Sequence, residues 1–345
     1  MPLRDELTAI RLATALAESK HTVCVRLTGA DVFGTLDRVC TGALTLQDAQ
    51  LKTTLLLRPD GTVFADALVG RDDEAYWLTT EGPTSAQLTD WLRTQQTGPD
   101  LHVEAIDDTH DHVSVHGPWA WQVLATCLGP DVMGMPYLSM LRSASGVVCF
   151  RAGKTGEYGY ELLMPKAVTG ELVGALEREG AALELRRVGL EALDLCAFEN
   201  WFFSMRREGT LGLTPLELGL QWRCAPGKGF IGREALDTRR RSGFTRRLTC
   251  LLTDGAVTPG APITLDGESL GTVAFTAFDP LLERHVASAL LPLPLAVPGV
   301  PVTVGATTGR TVAPPILTNR SLSVSAQRHT WADRELAGFP PLLSP

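Results

Sequence analysis

Two carboxylates lie where an ionised side chain needs a reason to be. Asp66 interrupts the apolar run TVFADALV, residues 62–69, and Glu199 sits in LDLCAFENWFF, residues 193–203. Burying a carboxylate is costly unless a cation, hydrogen-bond donors or a wet cavity receives it. Strand alternation puts Asp66 on the side of Phe64 and Leu68, which argues against an ordinary solvent-facing position. A carboxylate so placed is a candidate for general acid/base or electrostatic work. For Glu199 the residues leave two readings open, a ligand contact and a buried glutamate paired with an arginine.

A third stretch, GKGFIG from Gly227 to Gly232, spells the glycine fingerprint of dinucleotide-binding folds. That fingerprint works only as a turn between a buried strand and a helix whose N-terminus receives pyrophosphate. The residues before it are Gln221, Trp222, Arg223, Cys224, Ala225 and Pro226, too polar for such a strand, and Pro226 cannot donate to a parallel ladder. The helix after it, REALDTRRRSGFT, meets Ser-Gly within about ten residues, short for a crossover. The spelling is read as chance in a glycine-rich chain.

Other clusters carry less. His110, His112 and His116 share one strand face, but no cysteine accompanies them, so no metal site is assigned. Ser143, Ser145 and the histidines lack a nucleophile-elbow spelling. TRRRSGFTRR reads as a solvated linker, given an overall net charge of −8 that also argues against nucleic-acid and membrane surfaces.

These residues must be positioned by ordinary globular material: 345 residues, 44% hydrophobic and 20% charged. The pattern predicts a helix over RDELTAIRLATALAESK, a strand at TVCVRLTG, a helix at ADVFGTLDRVCTG and a hairpin around Pro59-Asp60-Gly61. A strand at EAYWLTT and a capped helix at TSAQLTDWLRTQQ follow. Strand, helix, strand, strand, helix then recurs from HDHVSVHG to AVTGELVGALEREG, an α+β layering. After about residue 240 helices give way to short strands with Gly/Pro turns, the mark of a small β-barrel or sandwich. Expected domains are 1–240, split into sub-domains of roughly 1–50 plus 140–240 and 51–139, then a barrel at 241–330 and a tail at 331–345.

Seven scattered cysteines, none in C-x-x-C, suit reduced thiols in a cytoplasm. The N-terminal MPLRDELTAIRLA lacks the apolar core of a signal peptide, and the most apolar window is broken by four prolines. A cytoplasmic location is the expectation.

Three segments in order carry a resemblance: LLLRPDGTVFADALVG (55–70), RAGKTGEYGYELLMP (151–165) and GLEALDLCAFENWFFSMRREGTLGLTPLELGLQWRCAPGKGFIGREAL (189–236). Together they resemble the glycine cleavage system T-protein, the aminomethyltransferase family, and its tetrahydrofolate-dependent relatives. Lys154 stands where that family usually has tyrosine. The resemblance implies three α+β and β parts in a ring around a channel for tetrahydrofolate, closed by a C-terminal small β-barrel. It makes GKGFIGREAL a structural turn into a helix.

By the same resemblance, Asp66 is the catalytic carboxylate near the reacting folate nitrogens, and Glu199 accepts from the pterin's amino-pyrimidine edge. Arg223 or Lys228 is eligible to meet the folate's glutamyl carboxylate. Thr80, in the Thr79-Thr80 pair that replaces a usual Val-Asn, is counted with the folate contacts. Arg151 and Glu157 are either pocket residues or a fold-stabilising pair. The implied activity is transfer of a methyl, methylene, formyl or formimidoyl unit between folate and a small-molecule donor or acceptor. The departures at Leu193, Ala197, Thr79-Thr80 and Ala274–Pro280 make a lipoylated carrier protein the less favoured partner. The alternative is a folate-binding regulatory or assembly protein. Its relatives' K-G-C-Y-x-G-Q-E motif has no counterpart here, since neither GKGFIGRE nor RAGKTGEYGYE contains cysteine.

Overall fold

A computed structural model describes residues 1–343; the last two residues of the expected tail lie outside them. The helices are α1 (Leu3–Leu12), α2 (Val32–Val39), α3 (Ser85–Gln95), α4 (Ala120–Leu128), α5 (Lys166–Gly180), α6 (Leu190–Glu199) and α7 (Arg233–Ser242). The first strands are β1 (Ala15–Glu18), β2 (Thr22–Thr28), β3 (Leu51–Leu57), β4 (Val63–Asp72), β5 (Ala75–Glu81), β6 (His102–Ala105) and β7 (His110–His116). Next come β8 (Met140–Arg142), β9 (Val148–Phe150), β10 (Gly159–Pro165) and β11 (Arg186–Arg187). The last are β12 (Arg246–Thr253), β13 (Pro262–Leu265), β14 (Glu268–Asp279), β15 (Arg284–Pro292), β16 (Pro301–Val304) and β17 (Thr307–Thr311).

One sheet runs β11-β1-β7-β10-β9-β8, a second β3-β4-β5-β2-β6, and the last six strands close into a barrel. The α+β class with a small C-terminal barrel is therefore as expected. The two open sheets meet across an apolar seam. Cys24, Leu51, Leu68 and Trp77 come from the second sheet, and Met140, Val148, Phe150 and Leu163 from the first. The first sheet's other face packs on α4 and α5 through Trp119, Val123, Leu124 and Leu176. The second's packs on α2 and α3 through Leu36, Val39, Leu88 and Leu92.

Strand pairing divides the chain differently from the expected sub-domains. β2 lies between β5 and β6, so residues 22–105 form one sheet. β7 lies between β1 and β10, which assigns Ala15–Glu18 and residues 110–187 to the other. The boundaries at 50 and 139 cut across both sheets. The first helix is also shorter than predicted. It stops at Leu12, and buried Ala15, Leu16 and Ala17 join a strand paired with Val113–His116. Helix propensity in this alanine-rich stretch yields to sheet pairing.

The GKGFIG stretch follows a short 3₁₀ turn at Gln221–Arg223, not a strand. Gly232 caps α7 with φ +85°, and a Cβ there would meet the Arg58 carbonyl oxygen at 2.5 Å. The glycine serves a close crossing of backbones. Among the described residues no helix is long and apolar enough to cross a membrane. All seven cysteines are unpaired.

Candidate functional site

The β3–β4 hairpin and β5 bring two carboxylates side by side. Asp66 pairs in register with Glu81, and both are buried where the seam between the open sheets ends. The loop Arg151–Tyr158 between β9 and β10 faces them. Its Lys154 ammonium lies 2.6 Å from Asp66 Oδ2 and 2.7 Å from Glu81 Oε2, and it donates to the Phe203 carbonyl at 2.8 Å. Arg223 Nη2 donates to Asp66 Oδ1 at 2.5 Å and to the Thr54 carbonyl at 2.6 Å. Asp66 therefore has a cation on each oxygen.

Glu81 is held from the other side as well. Ser204 Oγ donates to Glu81 Oε1 at 2.7 Å and Arg206 Nη1 at 3.0 Å, while the second nitrogen of Arg206 bonds Asp194. Burial alone would raise the Glu81 carboxyl, but Lys154, Arg206 and Ser204 outweigh it and hold the group down at about 2. Burial works against the Lys154 ammonium, yet Asp66 and Glu81 raise it above the ordinary lysine range.

The neighbouring residue of the same loop leads to Glu199. The Thr155 carbonyl accepts from Arg11 Nη1 at 2.6 Å, and Arg11 Nη2 donates to Glu199 Oε2 at 2.5 Å. Arg11 sits 3.7 Å from Glu157, whose carboxylate accepts from the backbone N–H groups of Arg320 and Ser321. Burial pushes the Glu199 carboxyl up to about 8; Arg11 opposes the shift and nearby Asp279 adds to it. The other oxygen, Glu199 Oε1, is buried with no hydrogen-bond partner, and so is Arg223 Nε.

The loop glycines explain how two such clusters come this close. Gly156 has φ +80°, and a Cβ there would lie 2.4–2.6 Å from the amide groups of Asn200 and Asn319. The backbone can press against α6 and the C-terminal segment only without a side chain. In this loop the Lys154 side chain reaches Asp66 and Glu81, and the Thr155 carbonyl reaches Arg11.

Of the residues expected at the site, Asp66 and Arg223 are in direct contact. Arg223 is committed to Asp66 and Thr54, a different role from meeting a glutamyl tail. Glu199 is linked to the same loop through Arg11, which bonds one of its oxygens as the buried-pair reading expects; its carboxyl also lies close enough to Asp279 to be raised by it. Lys228 does not join them: its ammonium donates to the Asp37 and Cys40 carbonyls and pairs with Asp37, tying α7's approach to α2. Thr80 faces the opposite side of the sheet, in register with Ala67 and towards the core of α2 and α3. Arg151 and Glu157 are not a pair: Arg151 bonds the Met135 carbonyl and lies over Tyr158 and Tyr160, while Glu157 anchors the C-terminal segment.

Sequence reasoning missed Glu81, Lys154, Arg206 and Arg11. Glu81 comes beside Asp66 only through the β4–β5 register, which no local pattern specifies. Lys154 was visible as a cation inside a glycine-rich loop. Arg11 carried no signal, because its helix reads as amphipathic surface. The three histidines diverge: His112 lies 3.1 Å from Glu161 and bonds Thr22, whereas both ring nitrogens of His116 are buried without partners.

Comparison with known proteins agrees with this architecture. Residues 2–228 match the GCVT N-terminal domain family. The aminomethyltransferase of Symbiobacterium thermophilum is 30% identical over 315 residues, covering 87% of this chain and 84% of the relative. That of Desulfitobacterium hafniense is 27% identical over 299 residues, covering 84% and 81%. The glycine cleavage system aminomethyltransferase T from Bartonella henselae has the same fold, with TM-score 0.78 at 20% identity over 91% of this chain and 89% of that one. The chain belongs to the GCVT family of folate-dependent one-carbon transferases, the glycine cleavage T-protein family.

Proposed function

We propose that this enzyme transfers a one-carbon unit between tetrahydrofolate and a small molecule at the junction formed by Asp66, Lys154 and Glu199. The observation that carries the reading is that two buried polar atoms near Asp66 lack partners, Oε1 of Glu199, linked through Arg11 to the loop that carries Lys154, and Nε of Arg223, which itself bonds Asp66. A folate presents N–H donors along its amino-pyrimidine edge and carbonyl acceptors elsewhere, so these orphaned groups fit it. Tetrahydrofolate supplies the nitrogens that take up or give back the carbon.

This chain's residues have three tasks. Glu199 Oε1 accepts from the amino-pyrimidine edge, whose N–H donors favour the ionised carboxylate that burial otherwise raises to about 8, while Arg11 fixes its plane. Asp66, its two oxygens held by Arg223 and Lys154, is oriented towards the reacting nitrogens and positions them for the transfer. The buried seam and the 199–206 segment exclude water, so the contribution is electrostatic and positional rather than covalent. A methyl, methylene, formyl or formimidoyl unit suits this arrangement, with a lipoylated carrier protein the less favoured partner. The acidic chain and its seven unpaired cysteines support a cytoplasmic setting.

The test is calorimetric titration of wild type, Glu199→Ala and Asp66→Asn with tetrahydrofolate and 5-formyl-tetrahydrofolate. Saturable binding by wild type and Asp66→Asn, lost in Glu199→Ala, is the expected result. Absence of binding by the wild type would overturn the reading.

A further inference from the structure

Lys154 is surrounded as a ligand would be. Three oxygens converge on its nitrogen, Asp66 Oδ2 at 2.6 Å, Glu81 Oε2 at 2.7 Å and the Phe203 carbonyl at 2.8 Å, so every N–H of the ammonium has an acceptor. Two of the three are carboxylates. The side chain is about a third exposed, so the cage opens on one side to whatever occupies the site. An oxygen cage of this composition recognises a primary ammonium group, and here the chain fills it with its own.

The charge balance points the same way. Asp66, Glu81 and Asp194 are matched one for one by Lys154, Arg206 and Arg223. With Lys154 in place the cluster is neutral and all its acceptors for a cation are taken. Without Lys154 it carries one net negative charge and an empty three-oxygen cage. The loop bearing Lys154 is pinned by the close approach of Gly156 to Asn200 and Asn319, so the lysine is held in the cage by its backbone.

The relatives are named aminomethyltransferases, and an aminomethyl donor carries an amine that becomes an ammonium when protonated. We propose that Lys154 is a specificity-determining residue that occupies the ammonium position beside Asp66, so that this enzyme rejects amine-bearing donors. It takes instead a donor that is uncharged or anionic at the transferred carbon. The inference rests on the assignment of Asp66 to the reacting centre.

The test compares two donors of the same methylene unit, the S-aminomethyl and S-hydroxymethyl adducts of one small thiol. In each, the carbon leaves sulfur for the two folate nitrogens; their two protons pass to the thiolate and to the departing amine or hydroxide, releasing thiol with ammonia or water. No oxidant is required. Initial rates of 5,10-methylenetetrahydrofolate formation give kcat/KM for both donors with wild type, Lys154→Met and Lys154→Gln. Tetrahydrofolate affinity is measured separately for each protein by calorimetry.

The expected result is that wild type prefers the hydroxymethyl adduct, and that both substitutions shift the donor ratio towards the aminomethyl adduct by about tenfold or more, as removal of a facing like charge predicts. The folate affinities, measured on the same proteins, separate a change of donor preference from a change at the folate site. A wild-type enzyme that uses the aminomethyl adduct as well as the variants do overturns the proposal. So does an unchanged ratio in a folded variant. If Lys154→Met does not fold, Lys154→Gln and the wild-type ratio decide. Loss of folate binding in the wild type would instead refute the reading of the folate site, which the calorimetry detects independently.

Discussion

Buried charge in this protein is organised as chains of ion pairs, each member of which depends on the next. Glu81 gives the clearest pH consequence. Its carboxyl is held at about 2, below the ordinary 4.5, so its stabilisation is fully present above about pH 4.5 and is lost as pH falls towards 2. A shift of that size corresponds to something on the order of 3 kcal/mol. Urea midpoints of wild type should therefore drop across that window, and Glu81→Gln should show a flatter profile between the same limits. Arg11 is the other critical position. It is 1% exposed and is the cation shared by Glu199 and Glu157. Arg11→Met leaves two buried carboxylates without their cation and should destabilise the fold by about 3–5 kcal/mol in urea unfolding. At this scale the sequence exposed the carboxylates and hid their partners. Asp66 and Glu199 stand out against apolar neighbours, whereas Arg11 and Arg206 look like surface residues until the fold buries them.

Elements were more legible than contacts. The hairpin around Pro59-Asp60-Gly61, the barrel strands and the capped α3 all follow from local chemistry. In α3, Thr84 accepts from the Gln87 N–H and the Gln87 side chain accepts from the Thr84 N–H, a complete capping box. Thr84→Ala should lower stability by about 1 kcal/mol, read as a shift in urea midpoint at constant slope. Two things escaped the sequence because they depend on distant pairing. Ala15–Glu18 is a strand only because β7 is there to receive it. Thr80 and Asp66 belong to opposite sheet faces because of the β4–β5 register, which no local pattern specifies. The glycine stretch follows a 3₁₀ turn rather than the buried strand that a phosphate-binding turn needs. Gly232→Ala should cost about 1–3 kcal/mol, since a Cβ at φ +85° meets the Arg58 carbonyl, with no effect on nucleotide affinity.

Across the whole molecule, the loop Arg151–Tyr158 is where the parts meet. Lys154 reaches the second sheet, Thr155 reaches α1 through Arg11, and Glu157 holds the C-terminal segment at Arg320 and Ser321. The barrel joins this centre through Phe198, Cys250 and Val286, directly behind Glu199 on α6. That arrangement ties the folate proposal to a place: pterin at Glu199, reacting nitrogens at Asp66, and the loop between. A cavity of about 480 Å³ lined by α1, Arg186, Arg320 and Trp331 contains none of Asp66, Lys154 and Glu199. The most direct measurement is a crystal structure of the wild type with 5-formyl-tetrahydrofolate. The expected structure has the amino-pyrimidine edge within hydrogen-bond distance of Glu199 Oε1 and N5 nearest to Asp66. Folate bound elsewhere, with the Arg11–Glu199 and Lys154–Asp66 contacts untouched and Glu199 Oε1 still without a partner, would contradict it.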